Sequence, residues 1–408
     1  MKPLEGIRVL DVTRIVSGPV CCWLLASLGA EVIRIDAPGG DSTWRTQPLV
    51  GPEGAHRGDW GPQDIGISAL RRGRGKRSTV LDLKSEAGLE IFRDLVVESD
   101  VLVENFVPGA THKLGIDYER MRALNPKLVY CSITGYGDEG PYRDRPSMDL
   151  VVQAMSGLMA KTGFPDGPPT KVGATVGDQV PALFGALGVL AALQQRERDG
   201  LGQHVDIAML DSLVALLWDE PIDDYEERGI PERIGNSDPR GAPLGVFETR
   251  DGQMAMVMTS DAQWQALVGL MERPELLARY PDPRSRFEDR DAVNEIVAAW
   301  CAPQGTDELV KRCLAIGIPV GPVQSAWSAR TDPHLEQRGT LERLRHRDAE
   351  TPSAYLAPVL PVRLSRNETQ LSPAEPLGSS TEAVLREVLG CNDARIEELR
   401  AGGAFGKA

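Results

Sequence analysis

Cysteine and histidine are scarce in this chain, six and five in 408 residues, and they are scattered. Cys21, Cys22, Cys131, Cys301, Cys313 and Cys391 show neither CxxC spacing nor the density of a disulfide scaffold. This excludes a small stapled secreted fold and predicts a reduced, cytoplasmic protein. No HExxH, no paired Cys/His spacing and no GxSxG elbow occurs, so neither a metal site nor a serine-hydrolase nucleophile is expected. Positive charge is also in deficit. A net charge of −14 sets nucleic acid and anionic membrane aside as general partners, because the mean field repels both. Any anionic ligand must therefore meet a local basic patch. Long apolar runs are missing too: the longest, Val180 to Leu193, has 14 residues with Pro181 inside it, whereas a membrane span needs about 20. It is expected to be a buried helix. The start of the chain, with Glu5 and Asp11 flanking Ile7-Arg8-Val9-Leu10, has no basic segment followed by an apolar one, and no signal peptide is read there.

What the chain does have is alternation. Over the first 200 or so residues, short β-branched runs alternate with helical patterns, as in a parallel sheet covered by helices. Strands are expected at 7–12, 31–36, 78–82, 100–104, 128–133 and 204–207, and helices at 19–28, 85–97, 150–160, 178–196 and 210–217. The fold class is α/β, with a large parallel-sheet domain over 1–200 completed by 376–408. A linker at 201–228 leads to a smaller α+β domain at 229–328, and 329–375, rich in Arg, Asp and Pro, reads as a second linker.

A sheet that opens strand, helix, strand and ends in Asp36 invites a dinucleotide reading. The first turn, Thr13 to Pro19, lacks the glycine fingerprint. A GxGxxG string does occur at Gly135 to Gly140, but Asp138 and Glu139 would repel a pyrophosphate and Pro141 follows. The run Arg71-Arg72-Gly73-Arg74-Gly75-Lys76-Arg77 places five cations in seven residues of an acidic protein. It is either a solvated loop or a phosphate-binding one, in which charge-assisted hydrogen bonds would hold the ligand. Asp149 stands where a turn ends and an apolar helical pattern begins. It reads either as a helix cap or as a carboxylate held ionised there and able to attack a thioester carbonyl. Asp178, ahead of the longest apolar helix, reads as an N-cap.

Several segments together resemble the class III CoA-transferase family, which includes formyl-CoA transferase and carnitine CoA-transferase and is related to α-methylacyl-CoA racemase. They are Pro3 to Asp11, Gly18-Pro19, Leu28 to Ile33, Lys76 to Ser78, Val103 to Phe106 with Pro108-Gly109, Ile133 to Gly137, and Gly317 to Val323. The resemblance implies a Rossmann-like large domain that binds CoA, an interlocked homodimer, and acyl-CoA and carboxylic acid substrates, without a metal. It makes Asp149 the nucleophile, forming an aspartyl anhydride and then an aspartyl-CoA thioester. It also implies CoA contacts at Val16, Lys76, Asn105, Phe106 and Lys113, to which the basic run adds Arg72 and Arg74. Ser17 and Thr134 stand where formyl-CoA transferase has glutamine and lysine. The racemase branch has a histidine before the aspartate, where this chain has Met148, so transfer is favoured over racemisation. The remaining alternatives are a nucleotide-binding dehydrogenase and a catalytically silent CoA-binding protein.

Overall fold

Six short strands, nearly all buried, set the framework of the larger unit. They are β1 (Arg8–Asp11), β2 (Glu31–Asp36), β3 (Lys76–Val80), β4 (Val101–Glu104), β5 (Val129–Thr134) and β6 (His204–Ala208). A computed structural model describes residues 2–367 and 370–406. All six strands run parallel in the order β3-β2-β1-β4-β5-β6. Near-continuous apolar runs such as Val101-Leu102-Val103 suit such a sheet, because helices cover both of its faces.

Those helices are α1 (Ser17–Ser27), α2 (Glu86–Val97), α3 (Asp149–Met155), α4 (Val176–Asp199), α5 (Met209–Leu217), α6 (Thr381–Leu389) and α7 (Asp393–Ala401). The pleat sends Val9, Val32 and Val101 to one face, against α1 and α4, and Leu10, Ile33 and Leu102 to the other, against α2, α6 and α7. Helix α2 starts where the Ser85 hydroxyl accepts from Gly88 N–H, and it buries Ile91, Phe92, Leu95 and Val96. Each of those side chains contributes about 1.5–3 kcal/mol relative to exposure. The strand order reverses between β1 and β4, so the crevice beyond their carboxyl ends is where a ligand is expected.

The larger unit comprises Met1–Leu158, Val172–Asp219 and Glu336–Ala408. Residues 201–228 thus include β6 and α5, and 329–375 include an antiparallel hairpin, Leu341–Arg343 with Leu356–Pro358. A further small antiparallel sheet, with Leu49–Gly51 between Gly54–His56 and Ile65–Gly66, has no counterpart in the sequence reading. Two helices also differ from expectation. The helix expected over 150–160 breaks after Met155, where Gly157 takes φ +88°. Helix α4 is 24 residues long and not wholly buried. Ala182, Gly185, Ala186 and Val189 face inward, and a Cβ at Gly185 would lie 3.2 Å from Cys21 Sγ, while Leu183 and Leu187 are exposed. By length and hydropathy alone α4 could cross a membrane, but its small-residue face is packed against α1 and the sheet.

The smaller unit comprises Met159–Lys171 and Glu220–Leu335. Its antiparallel sheet of β7 (Leu244–Glu248), β8 (Gln253–Val257) and β9 (Val320–Pro322) packs with helices at Asp261–Leu270, Arg290–Cys301 and Thr306–Ala315 around Met254, Met256, Trp264 and Leu309. The Gly235 to Gly245 segment belongs to this unit. Arg233 ties the unit's two chain segments together by donating to Ala160 O (2.8 Å) and Gly167 O (3.0 Å).

Candidate active site

The chain leaving β1 crosses the carboxyl edge of the sheet with a strained residue. Ile15 has φ +65°, rare for a β-branched side chain. Its neighbours hold it there: Ile15 N–H donates to Asp41 Oδ2 (3.1 Å), and Arg72 Nη1 donates to Ile15 O (2.7 Å). Asn105, just past β4, accepts from Arg14 N–H (2.7 Å) and donates to Arg14 O (2.8 Å) and to Ser17 Oγ (3.2 Å). Strain persists where surroundings over-determine it, and it concentrates at ligand sites. Glu104 holds the next turn, its carboxylate accepting from Phe106 N–H (2.8 Å); burial pushes this carboxyl up to about 7.

Between these two loops opens a cleft of about 510 Å³. Ile15, Val16, Phe106 and Pro108 give it an apolar wall, and Arg14, Lys84, Lys113 and Arg145 bring four cations to it. In a chain of net charge −14 this is the basic patch that an anionic ligand requires. Arg14 also stacks over the Phe106 ring, 4.9 Å from its centroid. Cations beside an apolar ledge fit a ligand that carries phosphates on a partly apolar body.

Met148 and Asp178 also line the cleft. Asp149, next to Met148, begins α3 but does not cap it. The N-cap is Met148, with no side-chain hydrogen bond. The Asp149 carboxylate instead accepts from the start of α4: Gly177 N–H donates to Oδ1 (2.8 Å). Gln153 Nε2 donates to Oδ1 and Oδ2, each at 3.0 Å. Gly177 must be glycine, since a Cβ there would lie 2.9 Å from Asp149 Oδ1 and 2.8 Å from Val152 Cγ2. Asp178 is not a cap either, because Thr175 holds that position. Burial, then the charge of Asp149, pushes the Asp178 carboxyl up to about 6, with Arg72 opposing. The Gly135 to Gly140 string forms a turn after β5 and opens no helix. A Cβ at Gly135 would lie 2.2 Å from Ser147 Oγ, so its first glycine lets the Ser147 segment close onto it.

Residues 4–381 match CoA-transferase family III. The chain belongs to that family. A succinyl-CoA:mesaconate CoA-transferase of Haloarcula hispanica is 41% identical over 84% of this family III chain and 85% of its own length. The alpha subunit of a succinyl-CoA–L-malate CoA-transferase of Chloroflexus aurantiacus is 36% identical over 98% and 92%. A succinate–glutarate CoA-transferase of Agrobacterium fabrum is 34% identical over 95% and 96%. Among solved structures, a CAIB/BAIF family protein from Brucella suis superposes with a TM-score of 0.80 at 32% identity, covering 95% of this chain and 99% of that one. The enzyme is a family III CoA-transferase.

Of the residues singled out in the sequence of this CoA-transferase, the fold brings Val16, Asn105, Phe106 and Lys113 to the cleft, with Arg72 bracing Ile15 behind it. Lys76 and Arg74 are elsewhere. The Lys76 ammonium is 1% exposed and donates to Asp11 Oδ2 (2.7 Å) and Pro19 O (2.8 Å). Arg74 pairs with Glu342, donates to Pro358 O (2.8 Å) and stacks over Trp23. Both cations are engaged within the protein and do not line the cleft. Sequence reading missed Arg14, Lys84 and Arg145, which no motif marks, and above all Gln153, an ordinary residue in an apolar helix. The one available signal was spacing: Asp149 and Gln153 are i, i+4 on α3 and share a face.

Proposed function

We propose that this family III enzyme moves CoA from a dicarboxylyl-CoA of the succinyl-CoA class to a small carboxylic acid, with Asp149 as the covalent relay. The observation that carries the reading is the Asp149 carboxylate, oriented by Gly177 N–H and Gln153 beside a cleft with four cations. Two donors meet Oδ1 and one meets Oδ2, which leaves Oδ2 the better nucleophile. In the proposed cycle Asp149 is acylated by the donor, exchanges that acyl group for CoA as an aspartyl thioester, and passes CoA to the acceptor. Arg14, Lys84, Lys113 and Arg145 hold the phosphates, and Phe106 packs against the body of the ligand. The choice of a succinyl-class donor is supported by relatives that are named for succinyl-CoA or succinate.

The reading extends to a cytoplasmic homodimer. Helices α3, α4 and α5 pack together, and they and the residue following α5 leave Leu150, Leu183, Leu187, Leu216 and Trp218 exposed; such a face favours burial by a second subunit. Sedimentation equilibrium tests this part, and a monomer at micromolar concentration would remove it. The covalent step is tested by incubating the enzyme with succinyl-CoA and hydroxylamine and mapping the peptides. An Asp149 hydroxamate is expected. Its absence while transfer proceeds overturns the relay.

A further inference from the structure

Gln153 is a polar side chain with no exposed surface, on a helix whose other inward residue is Val152. Such a group is retained only if it is fully hydrogen-bonded. Its amide oxygen accepts from Val172 N–H (3.0 Å), and its amide nitrogen reaches both oxygens of Asp149. The orientation is thereby fixed: the Val172 donor forces the oxygen away from Asp149 and the nitrogen towards it. Gly177 N–H, at the start of α4, is the second donor, and it meets Oδ1 alone.

We infer that Gln153 and Gly177 N–H form an oxyanion hole for the enzyme's own carboxyl carbon, Cγ of Asp149, and that this pair drives the second half of the reaction. The inference rests on the covalent relay proposed above. Oδ2 attacks the donor's thioester carbon, the C–S bond breaks and CoA leaves as thiolate. The thiolate then attacks Cγ and the Cγ–Oδ2 bond breaks. The donor acid departs as a carboxylate carrying Oδ2, and Asp149 is left as a CoA thioester whose carbonyl oxygen is Oδ1. An acceptor carboxylate next attacks Cγ, expelling the thiolate, which closes on the acceptor's acyl carbon and releases Asp149 as a carboxylate with an acceptor oxygen in place of Oδ2. At each attack on Cγ the electron pair moves onto Oδ1, where donors stand at 2.8 and 3.0 Å, the separation an oxyanion hole requires.

The first attack, by Oδ2, gains nothing from these donors, so removing one slows deacylation more than acylation. The test compares wild type with Gln153→Glu, which keeps the acceptor for Val172 N–H, and with Gln153→Met, which fills the same space. Succinyl-CoA and a saturating acceptor are mixed, and acylated Asp149 is trapped by acid quench during turnover and counted by intact-protein mass spectrometry. Both variants are expected to turn over about 10²- to 10³-fold more slowly while the trapped fraction of Asp149 rises above wild type. A merely positioning role would lower both acylation and turnover, so a fall in the trapped fraction overturns the inference, as does an unchanged rate. Absence of trapped Asp149 in the wild type would instead defeat the relay itself. If one variant fails to fold, by circular dichroism, the other decides.

Discussion

Asp11 and Asp149 both belong to the larger unit, and their carboxylates are held in opposite ways, one by a cation and one by neutral donors. Asp11 ends β1 with no exposed surface, and Lys76 donates to it from 2.7 Å. Burial pushes its carboxyl up, but the Lys76 and Arg34 charges, with hydrogen bonds from Lys76 and Thr13, bring it below the ordinary carboxylate value. Asp149 is half-buried, meets two neutral donors and has a second carboxylate, Asp178, for a neighbour. Asp11 is neutralised and locked by a full opposite charge. Asp149 is held in place by neutral donors, which on the proposed reading leaves it free to react.

Exchanging carboxyl for amide at Asp149 should break this contrast most severely. Asp149→Asn is expected to lower the rate of CoA transfer by roughly 10³-fold or more, with a small change in melting temperature because the amide oxygen can still accept from Gly177. The counterpart in the ion pair acts on folding. Lys76→Met leaves Asp11 as an uncompensated buried charge and should cost about 3–5 kcal/mol, read from urea unfolding, whereas removing both charges together should cost less.

Asp178 tests the pairing of carboxylates through pH. Below about pH 4 its carboxyl is protonated in folded and unfolded chains alike and contributes nothing. Between about pH 4 and 6 the unfolded chain ionises first, so folding is progressively disfavoured, and above about 6 the penalty is constant. Asp178→Asn should therefore gain on wild type as pH rises through that window, by on the order of 1–2 kcal/mol once solvent screening is allowed for. Denaturation at pH 4 and pH 7.5 checks it. The smallest effect is expected at the cleft rim: Lys113 is exposed, and Lys113→Ala should raise KM for acyl-CoA about five-fold at low salt and less at high salt.

The sheet was legible because its strands are β-branched runs buried on both faces, a pattern that survives without an alignment. The small sheet at 49–66 was not, since strands of two or three residues leave no periodicity. In the basic run, Arg72, Arg74 and Lys76 look alike as letters; only the fold shows that Lys76 points into the core and Arg74 towards Glu342. Asp149 stood out through its turn and through family resemblance. Gln153 did not, because its meaning lies in the distant backbone of Val172, which fixes which end of the amide faces the carboxylate.

The contact between Gly177 and Asp149 also bears on how the proposed cycle closes. The first turn of a 24-residue helix favours an anion over an uncharged anhydride or thioester. In the proposed cycle acylation works against the field of α4, and only the last release, which restores the Asp149 carboxylate, works with it. On that reading the first turn of α4 favours the free carboxylate over either acylated form of Asp149.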